Sequence, residues 1–444
     1  MHFDIILIGS GFAAYEIARV AIGRGESVLV IERGGDDLGA ADPALSHVPV
    51  LGDPVRSGGF DFGVEVPAAF EAVPRYIGLG GTSELWSGKW RRLDRVDFDR
   101  TWESRRWPIG YDDLAPWYDR VAADYGWPDW SDDTEFAAAR DRTAAHGLRL
   151  IEIYEEVPPV RLRAKWRALA EQGPLDIECG AVITGAAFAS DDRIDSLRFV
   201  DAHRRIRDVS ANAIVVAAGG IESIHVSHAL RTSRRSALPD RYPGFADHPK
   251  AFIGRIEPRN RSFVDYLRET HAARRRLLAF GLPENELLAQ QIGNHTVFVT
   301  ADEAPEVPGA VRVLLSLEQF PEAENFIATG AQPAVSWQVS PATREDAHRF
   351  LSAFASRLGG LIGPLTVDAA VPLRGASHHA AALPMGDAGV APLDEHCRFH
   401  DVANLYCVSS AVFPVAGSAN PTMTILALAR RLADRLNTLD ILGG

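Results

Sequence analysis

The pattern of apolar positions at the start of the chain predicts a strand, a helix and a second strand. Residues 4–8 (DIILI) are an apolar, β-branched run that ends at a glycine-rich turn. Residues 15–25 then place apolar side chains at helical intervals and end at two glycines, and the apolar run SVLVIER follows and reaches Glu32. A strand, a glycine turn, a helix and a strand within about thirty residues are typical of a βαβ unit.

The rest of the chain alternates between helical and strand-like patterns. Helical spacing predicts helices over 109–126 and 343–360, and a long helix from Pro421. The longest apolar run, Ala213 to Ile221, predicts a buried strand with a helix beginning at Ile221. Glycine and proline predict a loop over 35–74, and an irregular segment, 250–345, contains short strand-like runs at 296–300 and 311–317.

Composition and charge narrow the class of protein. The 444 residues are 46% hydrophobic and 24% charged, which is typical of a globular protein with more than one domain. The net charge of −13 argues against a nucleic-acid partner. No apolar run approaches the roughly 18 residues of a membrane span, and the amino terminus lacks the basic region of a signal peptide. Widely spaced Cys179, Cys397 and Cys407 predict neither disulfides nor a metal knuckle, so we expect a cytoplasmic protein.

The glycine turn after the first strand predicts a dinucleotide site. Gly9 permits a tight turn, Gly11 lets the backbone approach a pyrophosphate, and the small Ala14 allows close packing of helix and strand. Glu32, at the end of the second strand, is placed to accept hydrogen bonds from ribose hydroxyls. This pattern alone does not separate NAD from FAD.

Two further segments have both an ordinary and a functional interpretation. Gly80–Gly88 (GGTSELWSG) combines glycines and hydroxyls, which suit either an ordinary turn-rich loop or a loop against a flat ring or a diphosphate. Asn420 and Pro421 are favoured residues at a helix start, and that start could also stabilise negative charge on a reduced flavin. On sequence alone the pair His378 and His379 is more often structural than catalytic, and no third residue at a suitable spacing argues for a metal.

Taken together, these segments resemble the glucose–methanol–choline (GMC) oxidoreductases. The resemblance covers nearly the whole chain and is closest to the branch with pyranose oxidase and the bacterial gluconate, fructose and glucoside dehydrogenases. It rests on the Rossmann-like start and on five later motifs in the family's order: GLGGTSELWSG, WPIGYDDLAPWYDRV, AIVVAAGGIES, Asp247-His248-Pro249 and NLYCVSSAVFPVAGSANPTMTILALARRLADRL.

The resemblance implies an α/β fold in which a Rossmann-like FAD-binding domain is joined to an antiparallel-sheet substrate domain, an arrangement like that of p-hydroxybenzoate hydroxylase. We expect the FAD-binding domain in two parts, 1–249 and 373–444, and the substrate domain in 250–372. The residues expected to contact FAD are Gly9, Gly11, Phe12, Ala14, Glu32, Arg33, Gly80, Gly81, Thr82, Ser83, Trp86, Ser87, Val182, Ala218, Gly219, Ser410, Asn420, Pro421 and Thr422.

The chemistry that the resemblance implies is oxidation of a CH–OH group of a sugar, glycoside or natural-product alcohol to a carbonyl. His378 is the expected base for the hydroxyl proton, the hydride goes to flavin N5, and Asn420 holds the same oxygen. The electron acceptor is left open between oxygen and another molecule.

Three departures from the family pattern keep alternatives open. Ala381–Pro384 replaces a stretch that carries threonine and arginine in relatives, so His379 competes with His378 for the catalytic role. Leu85 stands where the pyranose-oxidase branch has a flavin-linking histidine, which predicts non-covalent FAD. The chain is also shorter than most relatives, which implies a more open pocket. The alternatives are a flavin-containing lyase or isomerase without net redox and a non-catalytic FAD- or NAD-binding module.

Overall fold

The computed structural model describes most of the chain and places it in three sheets with surrounding helices. The described residues are 1–36, 50–51, 75–102, 104–128, 130, 132–190, 192–234, 238–304, 307–329, 333–369, 371 and 373–443. Most of the loop predicted for 35–74 lies outside these residues.

The predicted βαβ unit is the centre of a seven-stranded mixed sheet. His2–Ile8 pairs in parallel with Val28–Glu32 on one side and with Ile206–Val216 on the other. The strands in order are Leu175–Cys179, Val28–Glu32, His2–Ile8, Ile206–Val216, Arg193–Val200 and Val182–Ser190, with Leu405–Cys407 also paired to Ile206–Val216. Val28–Glu32, most of His2–Ile8 and the last four residues of Ile206–Val216 are buried, as expected where helices cover both faces of a parallel sheet.

A seven-stranded antiparallel sheet stands opposite the mixed sheet. Its strands in order are Leu365–Val367, Lys250–Ile256, Val311–Ser316, Thr296–Glu303, Arg276–Gly281, Arg149–Glu155 and Lys89–Trp90. The strand-like runs predicted at 296–300 and 311–317 therefore pair with each other. Two strands of this sheet, Arg149–Glu155 and Lys89–Trp90, precede residue 250, so the sheet draws on a longer part of the chain than 250–372.

The remaining elements complete the scaffold. A small sheet joins Arg241–Pro243, Phe326–Ala328, Ala334–Ser336 and Val50–Leu51. The α-helices are Phe12–Ile22, Arg95–Asp99, Tyr111–Asp124, Thr134–Ala145, Leu162–Ala170, Gly219–Thr232, Arg261–Arg274, Glu284–Gln290, Pro341–Leu361 and Thr422–Gly443, and the 3-10 helices are Gly81–Glu84 and Ser410–Val412.

Local chemistry explains where several helices begin. Ser340 caps Pro341–Leu361 by accepting a hydrogen bond from the Thr343 N–H, with proline in the first turn. The Gly110 N–H donates to Asp113 at the start of Tyr111–Asp124. The strand predicted over Ala213 to Ile221 ends sooner, at Val216, because Gly219 adopts a φ of +82° and begins the next helix there.

Candidate active site

A cavity of about 1590 Å³ lies between the mixed sheet and the antiparallel sheet. The glycine turn after the first strand and the start of the C-terminal helix form one side, and strands of the antiparallel sheet form the other. Pockets for a single small ligand usually measure about 300–1,000 Å³. The volume therefore suits a dinucleotide together with a second molecule.

The first glycine turn leaves open space where a phosphate could approach. Gly9 has a φ of +102°, and a Cβ there would lie 2.6 Å from the carbonyl oxygen of Ala217, so only glycine fits against that strand. A Cβ on Gly11 would meet nothing within 4 Å and would point into unfilled space. The helix Phe12–Ile22 begins directly after it, and its free N–H groups favour an anion.

Glu32 lies at the cavity with capacity for further hydrogen bonds. One carboxylate oxygen accepts from the Ser10 hydroxyl at 2.6 Å, and the other accepts from the Gly34 N–H at 2.9 Å. The Ser10 backbone N–H also bonds to this carboxylate, which offers about four acceptor positions, so capacity remains for a ribose hydroxyl. Burial raises the pKa of Glu32, and the hydrogen bonds from Ser10 and Gly34 oppose that rise.

The second glycine segment packs directly on the first. A Cβ on Gly81 would lie 3.1 Å from the Gly11 Cα, and the Gly80 N–H donates to the Ser10 hydroxyl at 3.0 Å. Ser83 closes the turn by donating to the Gly80 carbonyl at 2.8 Å. The two motifs, about seventy residues apart in the sequence, therefore form one continuous wall of the cavity.

His378 and Asn420 meet at the other end of the cavity. The amide nitrogen of Asn420 lies 3.1 Å from Nε2 of His378, and both side chains line the cavity. Asn420 lies two residues before the start of the helix Thr422–Gly443, and His378 lies in an irregular loop. The contact therefore joins segments 42 residues apart.

A second histidine stands behind the first. Nδ1 of His378 lies 3.0 Å from Nδ1 of the buried His248, and only one proton fits between these two nitrogens. When the Asn420 amide donates to Nε2, the His378 proton is on Nδ1 and is donated to His248. This tautomer leaves the cavity-facing Nε2 as a base.

Asp247 holds the loop that carries His378. Its buried carboxylate accepts four backbone N–H groups: from His248 at 2.7 Å and His378 at 2.8 Å on one oxygen, and from Ala376 at 2.9 Å and Ser377 at 3.1 Å on the other. Ser377 adopts a φ of +58°, which is uncommon for a residue other than glycine. The carboxylate therefore fixes a backbone that no helix or strand supports.

The histidines at this end are electrically neutral at pH 7. Burial, followed by the charge of Lys250, lowers the pKa of His378 well below its usual value. Burial likewise lowers the pKa of His248 to about 4 and that of His379 to about 4. A neutral imidazole is the form that can accept a proton.

His379 lies beside His378 but in a different environment. Its ring is tilted against Phe245 with the centroids 5.7 Å apart, and its carbonyl accepts a hydrogen bond from the Ser410 hydroxyl. A Cβ on Gly220 would lie 2.3 Å from that carbonyl oxygen, so the helix Gly219–Thr232 packs against the His379 backbone. The side chain that Asn420 contacts is His378.

The structure brings most of the predicted site residues to the cavity. Ala14 is fully buried in the first helix, and Gly80 contacts Ser10 instead of lining the space. The predicted residues that line the cavity are Gly9, Gly11, Phe12, Glu32, Arg33, Gly81, Thr82, Ser83, Trp86, Ser87, Val182, Ala218, Gly219, His378, His379, Ser410, Asn420, Pro421 and Thr422.

The altered stretch Ala381–Pro384 has an ordered backbone. The Ala381 N–H donates to the Ser410 carbonyl at 3.1 Å, and the Leu383 N–H donates to the Ala411 carbonyl at 2.8 Å. Arg105, from a distant segment, donates to the Ala381 carbonyl at 2.6 Å. The missing arginine and threonine therefore do not leave this backbone unsupported.

Sequence reasoning missed the roles of four residues near His378. Asp247 and His248 were noted only as part of a family triplet, and their contacts with the His378 loop depend on pairing across about 130 residues. Lys89 and Lys250 line the cavity, and both charges lower the pKa of His378. His248 and Lys250 are two residues apart, but His248 precedes the strand Lys250–Ile256, so strand alternation does not indicate that the two share a face.

Metal and membrane features are absent from the part of the chain that the structure describes. No group of three or more His, Cys, Asp or Glu side chains there could hold a metal ion. None of the helices there is long and apolar enough to cross a membrane.

Comparison with known proteins finds a family model that matches part of the chain. Residues 331–429, which contain both His378 and Asn420, match the family model described as GMC oxidoreductase. The predicted resemblance to the GMC oxidoreductases is confirmed. A search of curated protein sequences finds no match.

Several solved structures share the fold over almost the whole chain. The chain is similar to pyridoxine 4-oxidase from Mesorbium loti (16% identity, TM-score 0.61, 98% of this chain and 99% of that one). It is also similar to an FAD-dependent oxidoreductase from Chaetomium thermophilum (14% identity, TM-score 0.65, 99% of this chain and 99% of that one). A third similar structure is formate oxidase from Aspergillus oryzae RIB40 (13% identity, TM-score 0.61, 99% of this chain and 98% of that one). The family-model match supports FAD-dependent oxidoreduction as the general function, and the solved structures support the fold.

Proposed function

We propose that the protein oxidises a CH–OH group of a sugar, glycoside or natural-product alcohol to a carbonyl, with FAD as the oxidant. The observation that carries this proposal is the contact between Nε2 of His378 and the Asn420 amide, 3.1 Å apart on the wall of the large cavity. A neutral base beside a hydrogen-bond donor suits a hydroxyl group that loses its proton.

The roles of the two side chains follow from their geometry. The substrate hydroxyl would displace the Asn420 amide from Nε2 of His378. His378 then accepts the hydroxyl proton on Nε2, and the Asn420 amide donates to the oxygen as negative charge develops on it. Bound FAD would supply the acceptor for the hydride that leaves the substrate carbon. His248, through the contact between the two Nδ1 atoms, keeps the His378 proton away from the reacting side.

The cofactor would be held without a covalent bond. The open space at Gly11 and the first helix start suit the pyrophosphate, and Glu32 suits the ribose. Leu85 lines the same cavity and has no nucleophilic atom for a flavin linkage. The domain division at 249 and 372 and the cytoplasmic location stay predictions, and the free state of Cys179, Cys397 and Cys407 suits a reducing compartment.

The role of His378 as the base is tested by measuring how fast a variant without this side chain reduces its flavin. His378→Ala should retain FAD and lose about 10²- to 10⁴-fold in the rate of anaerobic flavin reduction by the best alcohol in a panel. His348→Ala, which changes an exposed histidine on the helix Pro341–Leu361, is the matched control and should reduce flavin at the normal rate. An unchanged rate in His378→Ala would contradict the assignment of the base.

The same panel separates oxidation from the lyase or isomerase alternative. Loss of the flavin absorbance on anaerobic mixing with an alcohol indicates hydride transfer. Product formation without loss of that absorbance favours a reaction with no net redox. Admitting air afterwards shows whether oxygen reoxidises the flavin.

A further inference from the structure

Arg105 contacts two backbone carbonyl groups close to the proposed base. Its guanidinium group donates to the Ala381 carbonyl at 2.6 Å and to the Pro243 carbonyl at 2.8 Å. Ala381 lies three residues after His378, and Pro243 lies five residues before His248. Arg105 is not among the described residues that line the cavity, so an effect on the reaction has to act through the segments that it joins.

The two segments that Arg105 joins are paired with each other. Ala246 and Ala380 exchange two backbone hydrogen bonds, at 3.0 and 2.9 Å. Lys250 and Arg374 exchange two more, at 2.7 and 2.9 Å. The contact between the Nδ1 atoms of the two histidines joins the same segments between these pairs. Arg105 adds a further link beyond Ala246 and Ala380, and it therefore closes one end of the paired region that carries the proposed base.

The backbone of Ala381 has an unfavourable conformation. Its φ is +72°, in the left-handed region, where the Cβ of any residue other than glycine crowds the neighbouring backbone. Ala381 is fully buried, and its N–H donates to the Ser410 carbonyl at 3.1 Å. Hydrogen bonds from charged donors are stronger than those between neutral groups, so the bond from Arg105 is the stronger of the two that hold this residue.

The guanidinium group fits its place closely. Its donors are fixed in one plane, so that Arg105 can serve both carbonyls at once. A Cβ on Gly244 would lie 2.3 Å from Nη1 of Arg105, which shows that the guanidinium group packs directly on that backbone. Burial lowers the pKa of Arg105, because the charged group loses hydration, and the two carbonyl oxygens replace part of what is lost.

We propose that Arg105 is a positioning residue for His378, which it holds in place through the carbonyl of Ala381. Without this hydrogen bond, Ala381 would leave the left-handed region, and the movement of the segment would take the imidazole of His378 away from Asn420. The proposal rests on the proposed function for the role of His378 as the base.

The first experiment combines the loss of Arg105 with a change that removes the strain. Arg105→Ala should retain FAD and lower kcat for anaerobic reduction of the flavin about tenfold or more, with KM changed less than about threefold, because Arg105 does not line the cavity. Glycine adopts the left-handed region freely. The effect of Arg105→Ala on kcat should therefore be at least about threefold smaller in the Ala381→Gly protein than in the original protein.

The neighbouring arginine is the matched control. Arg106 is exposed and donates to the Thr101 carbonyl at 2.5 Å, so Arg106→Ala also removes an arginine that holds a backbone carbonyl. It should reduce the flavin at the normal rate. Thermal unfolding establishes that each variant is folded. If Arg105→Ala is not folded, the same comparison is made with Arg105→Lys, whose ammonium group does not reproduce the planar pair of donors.

The second experiment locates the imidazole without turnover. In the FAD-loaded protein with isotope-labelled histidine, the hydrogen bond between the Nδ1 atoms of His378 and His248 should give a proton resonance that His248→Phe removes. Arg105→Ala should shift or broaden this resonance, and Ala381→Gly should reduce the change. Arg106→Ala should leave the resonance where it is.

The outcomes separate this inference from the proposed function. If alcohols reduce the flavin and Arg105→Ala matches the original protein in kcat and in the histidine resonance, the positioning role is wrong and alcohol oxidation stands. If no alcohol reduces the flavin but the resonance responds to Arg105→Ala and to Ala381→Gly as expected, the positioning role stands and alcohol oxidation is wrong. A loss of kcat in Arg105→Ala that is just as large in the Ala381→Gly protein also overturns the proposal.

Discussion

The carboxylate of Asp247 should control the position of the proposed base, and the substitution Asp247→Asn tests this. The amide that replaces the carboxylate has one acceptor oxygen and one NH₂ group. Four backbone N–H groups donate to the carboxylate. In the variant, two of them would face the NH₂ group, which is itself a donor, and would lose their acceptor. Those two belong either to Ala376 and Ser377 or to His248 and His378, depending on how the amide turns.

The size of the effect follows from the number of bonds lost. A hydrogen bond to a charged group contributes about 1.5–3 kcal/mol, so two lost bonds correspond to about 3–6 kcal/mol. The loop can recover part of this by shifting, and a shift moves His378 away from Asn420. If about 1.4–2.7 kcal/mol appears in the activation barrier, kcat/KM falls about 10- to 100-fold, and the rest appears as lower stability.

The assay measures both effects on one preparation. Anaerobic flavin reduction gives kcat/KM, and denaturant unfolding gives the free energy of unfolding. Asp201→Asn is the matched control, because Asp201 also accepts backbone N–H groups in a loop, those of His203 and Arg205, but lies outside the cavity. It should lower stability and leave kcat/KM unchanged. If Asp247→Asn loses stability while kcat/KM stays within about twofold of the original, the positioning role is refuted.

Three further predictions concern the cofactor site and the proton. Gly11→Val should fill the open space at the first turn and abolish FAD binding, measured by the ratio of flavin to protein absorbance; full FAD content would contradict it. Because burial holds the pKa of His378 below its usual value of about 6.5, kcat/KM should be constant at neutral pH and fall only on acidification; an inflection above pH 7 would contradict this. His248→Phe should move that inflection and lower kcat/KM about tenfold with FAD retained, whereas an unchanged profile would exclude a role for the second histidine.

The elements that local patterns determine were predictable. The strand His2–Ile8, the helix after it and the strand Val28–Glu32 follow from apolar runs that a glycine turn interrupts. The long C-terminal helix follows from Pro421 and the apolar spacing after it. The sequence predicts a strand that continues beyond Val216, because the apolar residues continue into the next helix. The positive φ of Gly219 marks where the strand gives way to the helix, and the pattern of apolar residues does not reveal it.

The parts that depend on long-range pairing were not predictable from patterns. Nothing local indicates that Arg105 donates to the Ala381 carbonyl, because the two residues are 276 positions apart. Lys250 appears in the sequence as an ordinary residue after a proline, and the pairing of its strand with Val311–Ser316 is what turns it to the cavity. Antiparallel pairing brings distant residues together, and the spacing within either segment does not reveal this.

Both proposed reacting side chains come from irregular backbone, so a precise contact between them needs other support. The loop of His378 is held by Asp247, and the loop before Asn420 is held by the buried Glu318, whose carboxylate accepts the Gly417 N–H at 3.0 Å and pairs with Arg100. Each loop thus receives its acceptor from a residue elsewhere in the chain. A site needs its groups fixed to within about half an ångström, and fully hydrogen-bonded buried carboxylates can supply that rigidity where regular secondary structure is absent. This explains why Asp247 and Glu318 are buried beside the two loops that carry the proposed reacting side chains.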